Sequence, residues 1–109
     1  MDSSSIKSKI KSWAQDRDIV KQVFIIGSRA RSDYKANSDI DIALVLYRQQ
    51  NDSNVLATWM FEKEHLRSSL QELLPYKLDL QLYDGEKTKT IHNGINESSI
   101  LILDKVSVE

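Results

Sequence analysis

The run "DIDIALVLYR" (Asp39–Arg48) constrains this chain more than any other segment. It sets two carboxylates, Asp39 and Asp41, at the head of the most apolar, most β-prone stretch of the sequence. On a strand, residues two apart project to the same face. Asp39 and Asp41 therefore point together, and Ile40 and Ile42 point the other way. Carboxylates held side by side repel, and burying either is costly unless it is paired. The pattern requires either a solvated sheet face or a cation between the two acids. A hard divalent ion such as Mg²⁺ takes oxygen ligands and completes its shell with water and phosphate.

A third acid repeats the pattern. "YKLDLQLY" (Tyr76–Tyr83) alternates strictly and reads as a strand, with Asp79 between Leu78 and Leu80. If the two strands are neighbours, Asp79 joins Asp39 and Asp41 on one face. Three carboxylates suffice for two metal ions, the arrangement that stabilises attacking and leaving oxygens in phosphoryl transfer. The plainer reading stands beside it: an alternating strand commonly keeps one wet face, where Asp needs no ligand. Upstream, "KQVFII" (Lys21–Ile26) reads as a strand ended by Gly27 and Ser28. Ser28 suits the cap of a short helix through Arg29–Asp33, and such a turn offers backbone N–H groups and a hydroxyl to an anion. A phosphate cradle is then followed at short range by a metal clamp.

The rest of the chain supplies a scaffold. Ser3–Ser5 read as an N-cap for a first helix carrying Ile6, Ile10, Trp13 and Ala14 on one stripe. After the turn "QQNDSN" a longer helix is expected from Val55 to Leu74, with Leu56, Trp59, Met60, Leu66, Leu70 and Leu73 at roughly helical spacing and Pro75 as its stop. The Trp59-Met60-Phe61 cluster reads mainly as core. It is wider than one stripe needs, which leaves part of it for a partner. A last helix is expected over Glu86–Glu97, and "ILIL" (Ile100–Leu103) as an edge strand. The order α-β-α-β-α-β-α-β predicts an α/β (α+β) layered fold, a mixed β-sheet with flanking helices.

Totals exclude several classes. A chain of 109 residues is enough for one small domain. It has no cysteine, so disulfides and thiolate metal sites are excluded, and that fits a cytoplasmic setting. No apolar run nears the roughly 20 residues of a membrane span. Residues 1–38 carry eight Lys/Arg against four Asp/Glu, and residues 39–109 carry seven against twelve. A uniformly basic nucleic-acid binder is not expected from that split. His65 and His92 read as surface or boundary histidines, and Tyr34 as a packing residue.

The stretch "GSRARSDYKANSDID", Gly-Ser followed after ten residues by Asp-x-Asp, resembles the signature of the nucleotidyltransferase (polymerase β-like) superfamily. With "SDIDIALVL", "LDLQL" and "IHNGINESSILILDK" it is similar to the minimal nucleotidyltransferases over most of the chain. The resemblance implies a single nucleotidyltransferase domain over residues 1–109. It implies Gly27 and Ser28 holding the triphosphate, with Arg29 and Arg31 as phosphate neighbours. It implies Asp39 and Asp41 on Mg²⁺ (or Mn²⁺), with Asp79 completing the metal site and helping to deprotonate the acceptor hydroxyl. This chain has Ser32 where that family often has Gly. The implied reaction moves a nucleoside monophosphate, AMP from ATP, onto a hydroxyl. Minimal members are often paired with a HEPN protein in toxin–antitoxin systems, so a HEPN ribonuclease is the expected partner and acceptor. A non-catalytic antitoxin that neutralises its partner by binding alone is the rival expectation.

Overall fold

The computed structural model describes residues 3–27, 39–47, 49–84, 91–93, 95 and 99–105. Helix α1 spans Ser3–Gln15. Ile6, Ile10, Trp13 and Ala14 form its inward stripe and are all buried, as their spacing requires. The serines do not precede this helix; Ser3 already belongs to its first turn. Its C-terminal carbonyls are held by cations. Arg17 Nη1 donates to Trp13 O at 3.1 Å, and Lys105 Nζ donates to Ala14 O at 3.1 Å and Arg17 O at 2.8 Å. Positive charge at this end of a helix is favoured by the exposed carbonyl dipoles.

Four strands follow: β1 (Val20–Ile26), β2 (Ile40–Leu46), β3 (Leu78–Leu82) and β4 (Ser99–Asp104). They form one sheet in the order β3-β2-β1-β4. β1 pairs antiparallel with both β2 and β4, and β2 pairs parallel with β3. The sheet is therefore mixed, and "ILIL" is an edge strand as expected. The parallel pair needs a crossover, which helix α2 (Val55–Gln71) supplies. Asn54 caps α2, its side chain accepting from Ala57 N at 2.9 Å. Below the cap, Thr58 is buried but satisfied: Oγ1 donates to Asp52 Oδ2 at 2.6 Å and accepts from Gln49 N at 3.1 Å. At the other end, Gln71 donates from Nε2 to Tyr76 O at 2.8 Å, and its Oε1 accepts from Leu78 N at 2.9 Å. The helix end is thereby tied to the start of β3.

One face of the sheet carries the core. Val20, Val23 and Ile25 of β1, Ile40, Ile42, Leu44 and Leu46 of β2, and Leu78, Leu80 and Leu82 of β3 pack with the stripe of α1 and with Leu66 and Leu70 of α2. Trp13 Nε1 donates to Ser69 Oγ at 2.9 Å and joins the two helices. The stripe expected on α2 is corrected here. Thr58, Leu66 and Leu70 are its buried residues, whereas Leu56 and Met60 are exposed, as is Leu73, which lies beyond the helix end at Gln71. At 100° per residue, Leu56 and Met60 fall roughly a quarter to a third of a turn from the middle of the buried arc. Trp59 packs partly against the core, and Phe61 is 79% exposed, so the aromatic cluster is split rather than inward. No described helix is long and apolar enough to cross a membrane. Of the helix expected over Glu86–Glu97, residues 91–93 and 95 are described and are helical. The short helix expected over Arg29–Asp33 lies outside the described residues, as does Tyr34.

Candidate functional site

The strand alternation that buries Ile40, Ile42, Leu78 and Leu80 turns Asp41, Asp79 and Gln81 to the opposite face. The ladder brings them level. Asp41 pairs directly with Asp79 across the parallel β2–β3 ladder, and with Ile26 across the antiparallel β1–β2 ladder. Neighbouring strands lie about 4.8 Å apart. Two carboxylates at about that separation repel by roughly 1–3 kcal/mol, taking an effective dielectric between that of water and of a protein surface. Asp41 is half-buried, while Asp79 is exposed and accepts a hydrogen bond at 2.8 Å from Gln81 Nε2. Asp39 is exposed and sits immediately before β2, where Ile40 N donates to Lys77 O at 2.9 Å and starts the parallel ladder.

Gly27 closes the third side. It follows β1 directly, one residue beyond Ile26, the β1 partner of Asp41. Its φ of +72° lies in the left-handed region that glycine adopts without strain. A Cβ built on Gly27 would overlap Oδ2 of Asp41, with Asp41 Cγ only 3.3 Å away. The bare Cα thus lets the Asp41 carboxylate lie directly against the turn. Ser28, Arg29 and Arg31 lie outside the described residues.

The donors gathered here are oxygen-only, in register and partly open to solvent, which fits a hard cation better than a soft one. Among the described residues, no three His, Asp or Glu side chains are gathered closely enough to hold a metal ion by themselves. Further along the same face, Tyr83 meets Phe24 edge-on, with ring centroids 6.1 Å apart. His92 stacks on Tyr83 at 5.9 Å, and His92 Nδ1 shares a 2.7 Å hydrogen bond with the tyrosine Oη. His92 is thus a boundary histidine with a fixed partner, and His65 is exposed. Gln81 is the site neighbour that sequence reasoning missed. The signal was present: it stands two residues after Asp79 on an alternating strand and so must share its face.

This chain belongs to the polymerase β-type nucleotidyltransferase family, whose model, "Polymerase beta, Nucleotidyltransferase", matches residues 8–107. The same fold occurs in solved toxin–antitoxin structures. A crystal structure of a toxin–antitoxin with AMP-PNP superposes with a TM-score of 0.65 at 18% identity, over 94% of this chain and 76% of that one. A mutant MntA-type toxin–antitoxin carrying two Asp-to-Glu changes gives 0.65 at 16%, over 94% and 76%. The toxin–antitoxin MntA–HepT gives 0.60 at 16%, over 91% and 70%. At such identities the likeness is one of fold. Comparison with curated proteins gives no match.

Proposed function

We propose that this chain is a nucleotidyltransferase antitoxin that moves AMP from ATP to a hydroxyl of a HEPN ribonuclease and thereby neutralises it. One observation carries the reading: Asp41 and Asp79 stand level on one sheet face, with the Gly27 turn packed against the Asp41 carboxylate. Family membership supports nucleotidyl transfer. The toxin–antitoxin neighbours support the setting. One of them binds AMP-PNP, and another has Asp-to-Glu changes at two aspartates spaced as Asp39 and Asp41 are here.

In this reading the hydroxyl oxygen attacks the α-phosphorus of ATP. The bond from that phosphorus to the bridging oxygen of the β-phosphate breaks, and pyrophosphate leaves with the electron pair. Asp79, open to solvent and oriented by Gln81, takes the hydroxyl proton. Asp39 and Asp41, together with Asp79, are the residues that would hold Mg²⁺ or Mn²⁺. A divalent ion held there would supply charge neutralisation for the phosphates. The Gly27 turn leads into Ser28, Arg29 and Arg31, the proposed triphosphate contacts. What this chain itself contributes is the placement of carboxylates that would hold a cation against the phosphates, and little covalent chemistry.

A second reading has its own support. Helix α2 exposes Leu56, Met60 and Phe61, which suits an antitoxin acting by contact alone. Coexpression with the product of the adjacent reading frame separates the two. Intact-mass spectrometry of that partner is expected to show one or more added AMP units with the wild type and none with Asp39→Ala/Asp41→Ala. An unmodified partner that both versions neutralise decides for the contact reading.

A further inference from the structure

The sheet order leaves β3 at an edge, and the edge lies beside the acids. Ile40 N donates to Lys77 O, and Tyr83 N donates to Leu44 O at 2.8 Å, so the odd-numbered residues of this strand turn their backbone groups to β2. In a parallel ladder the alternate residues turn theirs outward. Those are Leu78, Leu80 and Leu82. Gln71 Oε1 takes the Leu78 N–H, and among the described residues nothing takes the outward groups of Leu80 and Leu82. Such a rim is a template for an added strand unless it is blocked.

The flank of α2 beside this rim is shaped and charged. A recess of about 270 Å³ lies between helix and strand, lined by Trp59, Lys63, Glu64, Arg67, Leu80 and Gln81. Trp59, Lys63 and Arg67 stand four residues apart and form one row. Glu64 offsets part of that charge through a 3.0 Å pair with Arg67, but both side chains are largely exposed and the pair is weak. Leu56 and Met60 extend the same flank with exposed apolar surface. Gln81 belongs to both places: it lines the recess and holds Asp79.

We propose that the outer edge of β3 is the acceptor-docking rail. It takes an extended segment of the acceptor protein as an added strand. Alternation then decides what that segment presents. The residue level with Asp79 turns its side chain to the acid face, which is where an acceptor hydroxyl must be. The residues immediately before and after it turn toward α2, where Lys63 and Arg67 favour acidic side chains and Leu56 and Met60 favour apolar ones. This rests on the transferase reading above for the role of Asp79. It adds the acceptor class: a hydroxyl residue in an extended, exposed segment with acidic neighbours.

The test follows the edge amides by hydrogen exchange and transfer by labelled ATP. The probes are the adjacent-frame protein and two short tyrosine peptides, flanked by Glu or by Lys. In the free chain, Leu80 and Leu82 amides should exchange fast, and Asp79 and Gln81 amides slowly. Adding the adjacent-frame protein should slow Leu80 and Leu82 tenfold or more. Lys63→Glu/Arg67→Glu, both on the helix exterior, should raise KM for the Glu-flanked peptide tenfold or more with kcat and ATP binding unchanged. Transfer onto either acceptor while Leu80 and Leu82 stay fast overturns the proposal. So does equal KM for the two peptides, protection by ATP alone, or protection that grows with the concentration of this chain alone. Protected amides with no label on the partner keep the rail and sink the transferase reading instead.

Discussion

Gly27 shows how much one residue decides. The sequence marks it as a turn former before Ser28 and, by resemblance, as a phosphate contact, but not as a neighbour of Asp41. In the fold its positive φ and the overlap that any Cβ would make with Asp41 Oδ2 are two separate reasons for glycine. Alanine at a left-handed position costs about 1–2 kcal/mol, and displacing a half-buried carboxylate adds to that. Gly27→Ala should therefore lose roughly 1–3 kcal/mol in urea denaturation and weaken ATP binding. An unchanged denaturation midpoint would show that Asp41 does not lie against this turn.

Among the elements, α2 carries the test of which residues hold the layers together. Leu70 is fully buried beneath the sheet, and Met60 on the same helix is 58% exposed. Periodicity alone put both on one stripe. Emptying a buried leucine site costs about 2–5 kcal/mol, whereas truncating an exposed side chain changes stability by about 0.5 kcal/mol or less. Leu70→Ala should shift the urea midpoint strongly and Met60→Ala hardly at all. Met60→Ala should instead weaken a partner complex if this flank is an interface. Equal destabilisation by both would contradict the packing described for α2.

For the whole molecule, the acids should couple ligand binding to stability. A ligand that binds only the folded chain stabilises it by about 2.7 kcal/mol at a hundredfold excess over its dissociation constant. For a domain of this size, 1 kcal/mol corresponds to about 4–8 °C in Tm. ATP with Mg²⁺ should therefore raise the melting temperature by roughly 10–20 °C near saturation. EDTA should remove most of that rise. Asp39→Asn/Asp41→Asn should abolish it while leaving the chain folded. Calorimetry that finds equal nucleotide binding in both proteins would remove the metal role from these acids.

The elements and their faces were legible in the sequence because they follow from local periodicity. A period of two in "DIDIALVL" and "LDLQL" fixes which side chains share a face, and the Ile6-Ile10-Trp13-Ala14 spacing fixes the inner side of α1. The Asp-x-Asp pattern and the Gly-Ser turn were visible for the same reason. Strand order was not legible, since nothing local in β2 states that β3 will lie beside it, parallel, with Asp79 level with Asp41. That adjacency comes from the α2 crossover folding back over a shared core, and a slip of one residue would have turned Asp79 inward. Tertiary packing also chose between the apolar residues of α2, because a helix buries only the arc that meets the sheet. The same strand order left β3 at the edge, so its outward amides and its third acid lie together for a reason that no local pattern contains.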